Sequence, residues 1–392
     1  MKKQTKAIRI QTKRSTFREH STPLYLTSSF CFEDAQQGKE LFDETLEGNI
    51  YSRFSNPNIT EFVEKVCMLE NLPEGIATAT GMASVFAGFA AHLKSGDHLV
   101  SSRALFGSAH QIITQILPKW GISHTYLEAD ATETDWRAAV QDNTKMIYLE
   151  TPSNPGLELI DLKMIGRISK EKKLIFFVDN CFATPIVQTP ADFGANLVCH
   201  SATKLMDGQG RVLGGVIVGT KELIAPIRFF CRHTGPSMSP FNAWVLSKSL
   251  ETLDLRVEKH CENALKFAKA IEKIPNIKNV NYPFLKTHPK FDLAKKQMRF
   301  GGSIVTFELE TEDFEVINSF TSNLRFISNS SNLGDARTIF TNPFTTTHSK
   351  LPLSEKQNLG ITPGLFRASI GLENINDILG DIKQAVEKGF RN

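Results

Sequence analysis

Between about residues 75 and 225 short apolar runs alternate with amphipathic stretches of helical period. The runs at 76–79, 98–101, 122–127, 145–150, 173–179, 197–200 and 213–218 read as buried strands. Helical patterns lie between several of them, at 81–93, 109–117, 134–140 and 162–171. Continuous apolar strands separated by helices predict an α/β fold whose mostly parallel central sheet is covered on both faces. Such sheets bind ligands outside the carboxyl ends of their strands.

The flanks differ. Residues 1–55 look irregular, with Thr22-Pro23-Leu24-Tyr25 extended, and have no core of their own; they must lie on another surface, such as a second copy. A helix is predicted over 60–71, with Thr60 as N-cap and Phe62, Val66 and Leu69 on one face. Beyond Pro240 a proline-free pattern predicts one long helix over 242–271. A strand at 302–309, a helix, apolar runs at 326–329 and 366–370 and an amphipathic helix at 376–390 complete a smaller α/β unit. The expected division is an N-terminal arm (1–55), a larger α/β domain (56–240) and a C-terminal domain (241–392).

Composition narrows the classes. The chain has 392 residues, 41% hydrophobic and 22% charged, with a formal net charge of +3, so nucleic acid is not expected as a partner. No stretch approaches the ~20 apolar residues a membrane span needs. The basic residues near the N-terminus have no apolar run of a secretory leader behind them. Six scattered cysteines without a C-x-x-C pair suggest reduced thiols in a cytoplasmic protein, with neither a disulfide frame nor a metal site.

Cys199-His200-Ser201-Ala202-Thr203-Lys204 places an amine just past a buried strand. Desolvation lowers an amine's pKa and frees its lone pair for Schiff-base chemistry, although a loop lysine between strands would look the same. Asp179 ends another apolar run, either capping the next element or meeting a buried cation. An amine and a carboxylate at the ends of two strands together suggest pyridoxal phosphate, which needs the first for its aldehyde and the second for its ring nitrogen. Thr80-Gly81-Met82-Ala83-Ser84 opens a helix to which a phosphate can bind, and Ser201 and Thr203 add hydroxyls. Phe106 sits in a loop where its ring can stack on a flat cofactor or join the core. Arg367, in an apolar run, suits a substrate carboxylate or an internal salt bridge. The glycines at 208, 210 and 214 have the wrong spacing and context for a dinucleotide fingerprint.

Ordered motifs then converge: Tyr51-Ser-Arg53 before Asn56-Pro57, Thr80-Gly81-Met82, Glu150-Thr-Pro-Ser-Asn154-Pro155, Val178-Asp179-Asn180, Ser201-Ala-Thr-Lys204 and Arg367-Ala-Ser-Ile-Gly-Leu-Glu373. From about Thr22 to the C-terminus the chain resembles the Cys/Met-metabolism family of pyridoxal-phosphate enzymes. The resemblance implies the type I, aspartate-aminotransferase-like fold and a cytoplasmic homotetramer of two dimers with shared active sites. It makes Lys204 the Schiff-base lysine and Asp179 the ring-nitrogen partner. Gly81, Met82, Ser201 and Thr203 would hold the phosphate, joined by Tyr51 and Arg53 from a neighbouring subunit. Phe106 would stack on the ring, Asn154 would lie near its hydroxyl, and Arg367 would bind the substrate α-carboxylate.

Within the family, Asp207-Gly-Gln-Gly-Arg211 and Ser331-Asn332-Leu-Gly-Asp335 look most like O-succinylhomoserine sulfhydrylases, which use an amino-acid ester and sulfide. Asn332 is then expected at the substrate, and Arg211 at the succinyl carboxylate or else in a structural salt bridge. Cystathionine γ-synthase and O-acetylhomoserine sulfhydrylase activities are the nearest alternatives; a non-catalytic protein on this fold is a more distant one.

Overall fold

The computed structural model describes residues 1–391. Its larger sheet has seven strands: β1 (Glu74–Thr78), β2 (His98–Ser102), β3 (Ser123–Leu127), β4 (Thr144–Glu150), β5 (Ile175–Asp179), β6 (Leu197–Ser201) and β7 (Gly215–Gly219). They lie in the order β1-β7-β6-β5-β4-β2-β3. Strands β2 to β6 run parallel, as the apolar runs predict, and β7 runs antiparallel to both β6 and β1. The reversal matters because residues 202–214, which include Lys204, form the return loop at the carboxyl end of β6.

Both faces are covered. Phe177 and Tyr148 pack with Phe89 of the helix Gly81–Ala90 on one face. On the other, Phe176, Val178 and Val198 join Phe62, Val66 and Leu69 of the helix Pro57–Glu70. That helix starts earlier than expected: Asn56, not Thr60, is the N-cap, accepting from the Asn58 amide, with Pro57 in the first turn.

The smaller sheet comprises β8 (Ile277–Asn281), β9 (Ile304–Leu309), β10 (Ser328–Asn329), β11 (Ile339–Thr341) and β12 (Leu365–Ser369) in the order β10-β11-β12-β9-β8. Strands β8 and β11 have no counterpart in the apolar pattern, since β8 is half polar and β11 has only three residues. The pairings are antiparallel except β10 with β11. Phe267, Phe307, Phe320, Phe340 and Phe366 interlock in its core, for example Phe320 and Phe366 edge to face at 5.0 Å.

The expected single helix over 242–271 is two, Pro240–Leu250 and Leu253–Ile271. No proline breaks it. Two buried cations draw off carbonyls at the joint, Lys65 from Ser247 at 3.2 Å and Arg256 from Ser249 at 2.9 Å. The pattern at 109–117 divides into an α-turn Gly107–Gln111, a π-turn Ile112–Ile116 and a 3-10 turn Leu117–Trp120.

Residues 1–55 hold two short helices, Lys3–Arg9 and Ala35–Phe42. They lie partly on their own chain: Lys3 Nζ donates to the Leu69 carbonyl at 2.6 Å, and the Thr12 amide to Glu61 at 3.0 Å. Phe17 and Leu26 nevertheless remain 91% and 70% exposed. Among the described residues no helix is long and apolar enough to cross a membrane.

Candidate active site

The carboxyl ends of β4, β5 and β6 lie side by side, with Glu150 opposite Asp179 and Asp179 opposite Cys199. Just beyond β6 the chain turns so that Lys204 is half-buried, and its Nζ donates to Asn332 Oδ1 at 2.6 Å. Burial pulls the amine's pKa below the usual lysine range, and the Arg367 charge adds to the shift. This loop is held from beneath. Buried Arg256 donates to the carbonyls of Leu205 at 2.8 Å and Met206 at 3.2 Å. Gly208, at φ +71°, allows that approach, for a Cβ there would sit 2.0 Å from Arg256 Nη1.

Asp179 Oδ1 accepts from the Cys181 amide at 3.0 Å. Burial raises its carboxyl above the ordinary range, against the pull of that amide and of His200. Its neighbour Glu150 is also pushed up, first by burial and then by the Asp179 charge. The Glu150 carboxylate accepts from the Phe106 amide at 2.7 Å, fixing the start of the Phe106 loop. Two carboxyls with raised pKa at adjacent strand ends form a site that favours a cation.

Arg367 is a fully buried cation on β12 of the smaller sheet. Its Nη1 donates to Asn154 Oδ1 at 2.9 Å, and its Nη2 to the carbonyls of Ser331 and Asn332, each at 3.2 Å. Among the described residues no carboxylate comes within ion-pair distance of it, although the Glu150 charge acts on it from further off, and its Nε is buried without a partner. Burial lowers its pKa to about 10. A buried guanidinium held by neutral acceptors is a receptor for an anion.

Thr80 caps the helix Gly81–Ala90, taking the Ala83 amide on its side chain. Gly81 and Met82 carry the two amides ahead of it. A Cβ on Gly81 would lie 2.6 Å from that of Ser201, so only glycine brings this helix terminus against the strand end bearing the hydroxyl. The Thr203 hydroxyl is engaged by Gly214, accepting from its amide at 3.0 Å and facing its carbonyl at 3.3 Å.

The structure thus gathers Lys204, Asp179, Phe106, Gly81, Ser201, Asn154, Asn332 and Arg367 around the carboxyl ends of β4, β5 and β6. Tyr51 and Arg53 stand apart: Arg53 donates to the Arg232 carbonyl and lies over Phe54 at 4.6 Å. Arg211 is engaged within its own loop and helix. It donates through Nε to Asp207 at 3.0 Å and through Nη2 to Ser249, so it forms the structural salt bridge that was the other reading of this residue. Two contributors went unassigned. Glu150 carries the same signal as Asp179, an apolar strand ending in a carboxylate, whereas Arg256 carries no local signal. Among the described residues no group of three or more His, Cys, Asp or Glu is placed to hold a metal ion.

Residues 4–387 match the family model described as Cys/Met metabolism PLP-dependent enzyme. The chain is a member of that family. It is 40% identical over 381 residues to an O-succinylhomoserine sulfhydrylase of Mycobacterium tuberculosis, covering 95% of this chain and 93% of the relative. It is 36% identical to an L-methionine gamma-lyase of Fusobacterium nucleatum over 387 residues, 98% of each chain. A Campylobacter jejuni structure assigned as an O-acetylhomoserine (thiol)-lyase, with N'-pyridoxyl-lysine-5'-monophosphate, superposes at a TM-score of 0.93 and 32% identity, covering 99% of this chain and 100% of the other. This family member is a pyridoxal-phosphate enzyme of the type I fold. Its residues fit the cofactor: an amine of lowered pKa, a carboxyl seeking a cation, and a helix terminus pressed on a serine.

Proposed function

We propose that the enzyme catalyses γ-replacement, converting O-succinyl-L-homoserine and sulfide to L-homocysteine and succinate. The observation that carries the reading is the buried Arg367, whose orphaned Nε lies beside the Lys204–Asn332 pair. An amino acid bound by its α-carboxylate at Arg367 presents its Cα side to Lys204. The high identity to the sulfhydrylase supports the choice of ester and nucleophile. Ser108 supports it further, because methionine γ-lyases tend to carry a cysteine at this place in the family.

When bound, pyridoxal phosphate supplies the electron sink for charge developing at Cα. The Gly81 and Met82 amides and the Ser201 hydroxyl would hold its phosphate, and Phe106 would cover the ring. Asp179, whose carboxyl burial raises, would be the carboxylate that holds the ring-nitrogen proton. Lys204, its cationic form disfavoured by burial, takes the Cα proton and then moves protons at Cβ. The Cγ–O bond breaks to release succinate, hydrosulfide forms the Cγ–S bond, and Lys204 returns protons to Cβ and Cα. Asn332 accepts from Nζ and steadies the amine between these positions.

Residues 1–55 act as an arm over a neighbouring copy, where Tyr51 and Arg53 complete the phosphate site. The separation of Tyr51 and Arg53 from their own Lys204 cluster and the exposed Phe17 and Leu26 support a dimer, and the family's habit of pairing dimers supports a homotetramer. The test is a side-by-side assay of O-succinylhomoserine with sulfide and with cysteine, the O-acetyl ester as control. Homocysteine is the expected main product. Faster turnover with cysteine, or release of methanethiol from methionine at a comparable rate, would replace this reading with a γ-synthase or a γ-lyase.

A further inference from the structure

Glu70 is the last residue of the helix Pro57–Glu70, and its side chain is fully buried. One carboxylate oxygen, Oε1, accepts from Nδ2 of Asn180 at 2.8 Å and from Nε2 of His200 at 2.6 Å. The other has no hydrogen-bond partner among the described residues. Asn180 directly follows Asp179, and His200 directly precedes Ser201. Side chains alternate across a strand, so Asn180 and His200 point to the face opposite the cofactor residues. Glu70 therefore joins two site-bearing strand ends from behind, without touching the site.

The position of this joint is informative. The ladder between β5 and β6 ends with the Asn180 amide on the Cys199 carbonyl at 3.0 Å, after which the two chains turn apart. The same buried cluster reaches β4, because Asn180 donates to the Gln188 carbonyl at 2.9 Å and Gln188 donates to the Thr151 carbonyl at 2.9 Å, one residue past Glu150. A buried carboxylate at a helix C-terminus is opposed by desolvation and by the helix dipole, so folding stability alone is a poor reason for it. Lys3 Nζ, bound to the neighbouring Leu69 carbonyl, is a cation of the N-terminal helix close by.

We propose that Glu70 is a positioning residue: through Asn180 and His200 it sets the spacing between Asp179 and the Ser201–Lys204 loop, and so tunes cofactor affinity. This rests on the assignment of Asp179 and Lys204 to pyridoxal phosphate. The test is titration of apo-protein with pyridoxal phosphate for wild type, Glu70→Ala, Glu70→Gln and Asp179→Asn, well below each variant's Tm, with visible absorbance recorded across pH. Glu70→Ala strands two buried donors and is expected to weaken the cofactor about ten- to hundredfold and to shift the pH midpoint of its absorbance. Glu70→Gln keeps an oxygen for both bonds and is expected to stay within about threefold. Should Glu70→Ala fail to fold, His200→Leu, which removes one donor, is expected to weaken binding, and His200→Gln, which retains one, to restore it. A Glu70→Ala protein, or in its place a His200→Leu protein, with lowered Tm but wild-type affinity and absorbance would overturn the proposal. If Asp179→Asn also binds as wild type, the site assignment itself is wrong and the inference falls with it.

Discussion

Two aspartates, half-buried Asp179 at the end of β5 and buried Asp381 in the helix behind the smaller sheet, show opposite uses of the same side chain. For Asp381, in the helix Ile375–Gly389, burial alone would raise the carboxyl. Amide donors from Arg325, Phe326 and Ile327, with Gln384, instead hold it below the ordinary aspartate range. Asp179 has one amide, from Cys181, and burial leaves it above that range. Asp381 is satisfied by its own chain and locks a loop to a helix. Among the described residues Asp179 has no ion pair, only that amide and the weaker pull of His200. The contrast separates a charge satisfied by its own fold from one that is not, and it repeats in the cations: Arg256 is spent on the carbonyls of its own fold, while Arg367 retains an orphaned Nε.

The largest effect should follow removal of the amine. Lys204→Ala is expected to lower kcat/KM by at least about 10⁴-fold without a lower Tm, as measured by homocysteine formation and calorimetry. Asp179→Asn should cut turnover by about 10²-fold or more and leave the apo-protein as stable as wild type or more so, because a buried charge without a partner is lost. Asp381→Asn inverts that pattern, with kcat/KM within about twofold and a stability loss of about 1.5–3 kcal/mol in urea titrations.

The pH dependence carries the same signs. Asp381 has a depressed folded pKa, so its contribution is present above the ordinary aspartate range and is lost as pH falls through the folded value. Asp179 has a raised one, so in the apo-protein its contribution declines as pH rises from the ordinary range through the folded value. The Asp381→Asn and Asp179→Asn Tm curves should therefore differ from wild type in opposite directions in that window. The smallest effect on activity is expected at Arg211, which is 40% exposed and paired with the fully buried Asp207. Arg211→Ala leaves that carboxylate with fewer donors and should cost about 1–3 kcal/mol, with the succinyl-to-acetyl preference within about twofold. A larger change of preference would return Arg211 to the acyl site.

Residues whose environment is set by their own strand were legible from sequence. Lys204 and Asp179 lie where apolar runs end, and Gly81 where a helix opens, so local pattern and family motif agree. Glu70, Arg256 and the engagement of Arg211 were not legible, because their partners lie far along the chain or depend on how a loop folds back. The reversal of β7 was hidden for the same reason: apolar runs show burial but not direction. The joint near Thr252 escaped because no residue there breaks a helix; buried Lys65 and Arg256 draw the carbonyls away. Asn56-Pro57 was a readable start signal, and Thr60 was the poorer choice between two capping residues.

The central claim, that an unpaired Asp179 and a free Lys204 serve γ-replacement on a succinyl ester, is tested most directly by kcat/KM for O-succinylhomoserine with sulfide and cysteine competing at equal concentration. Homocysteine should dominate the product mixture, and the Lys204→Ala protein should form none above background. Cystathionine as the main product, or undiminished homocysteine from Lys204→Ala, would contradict the account.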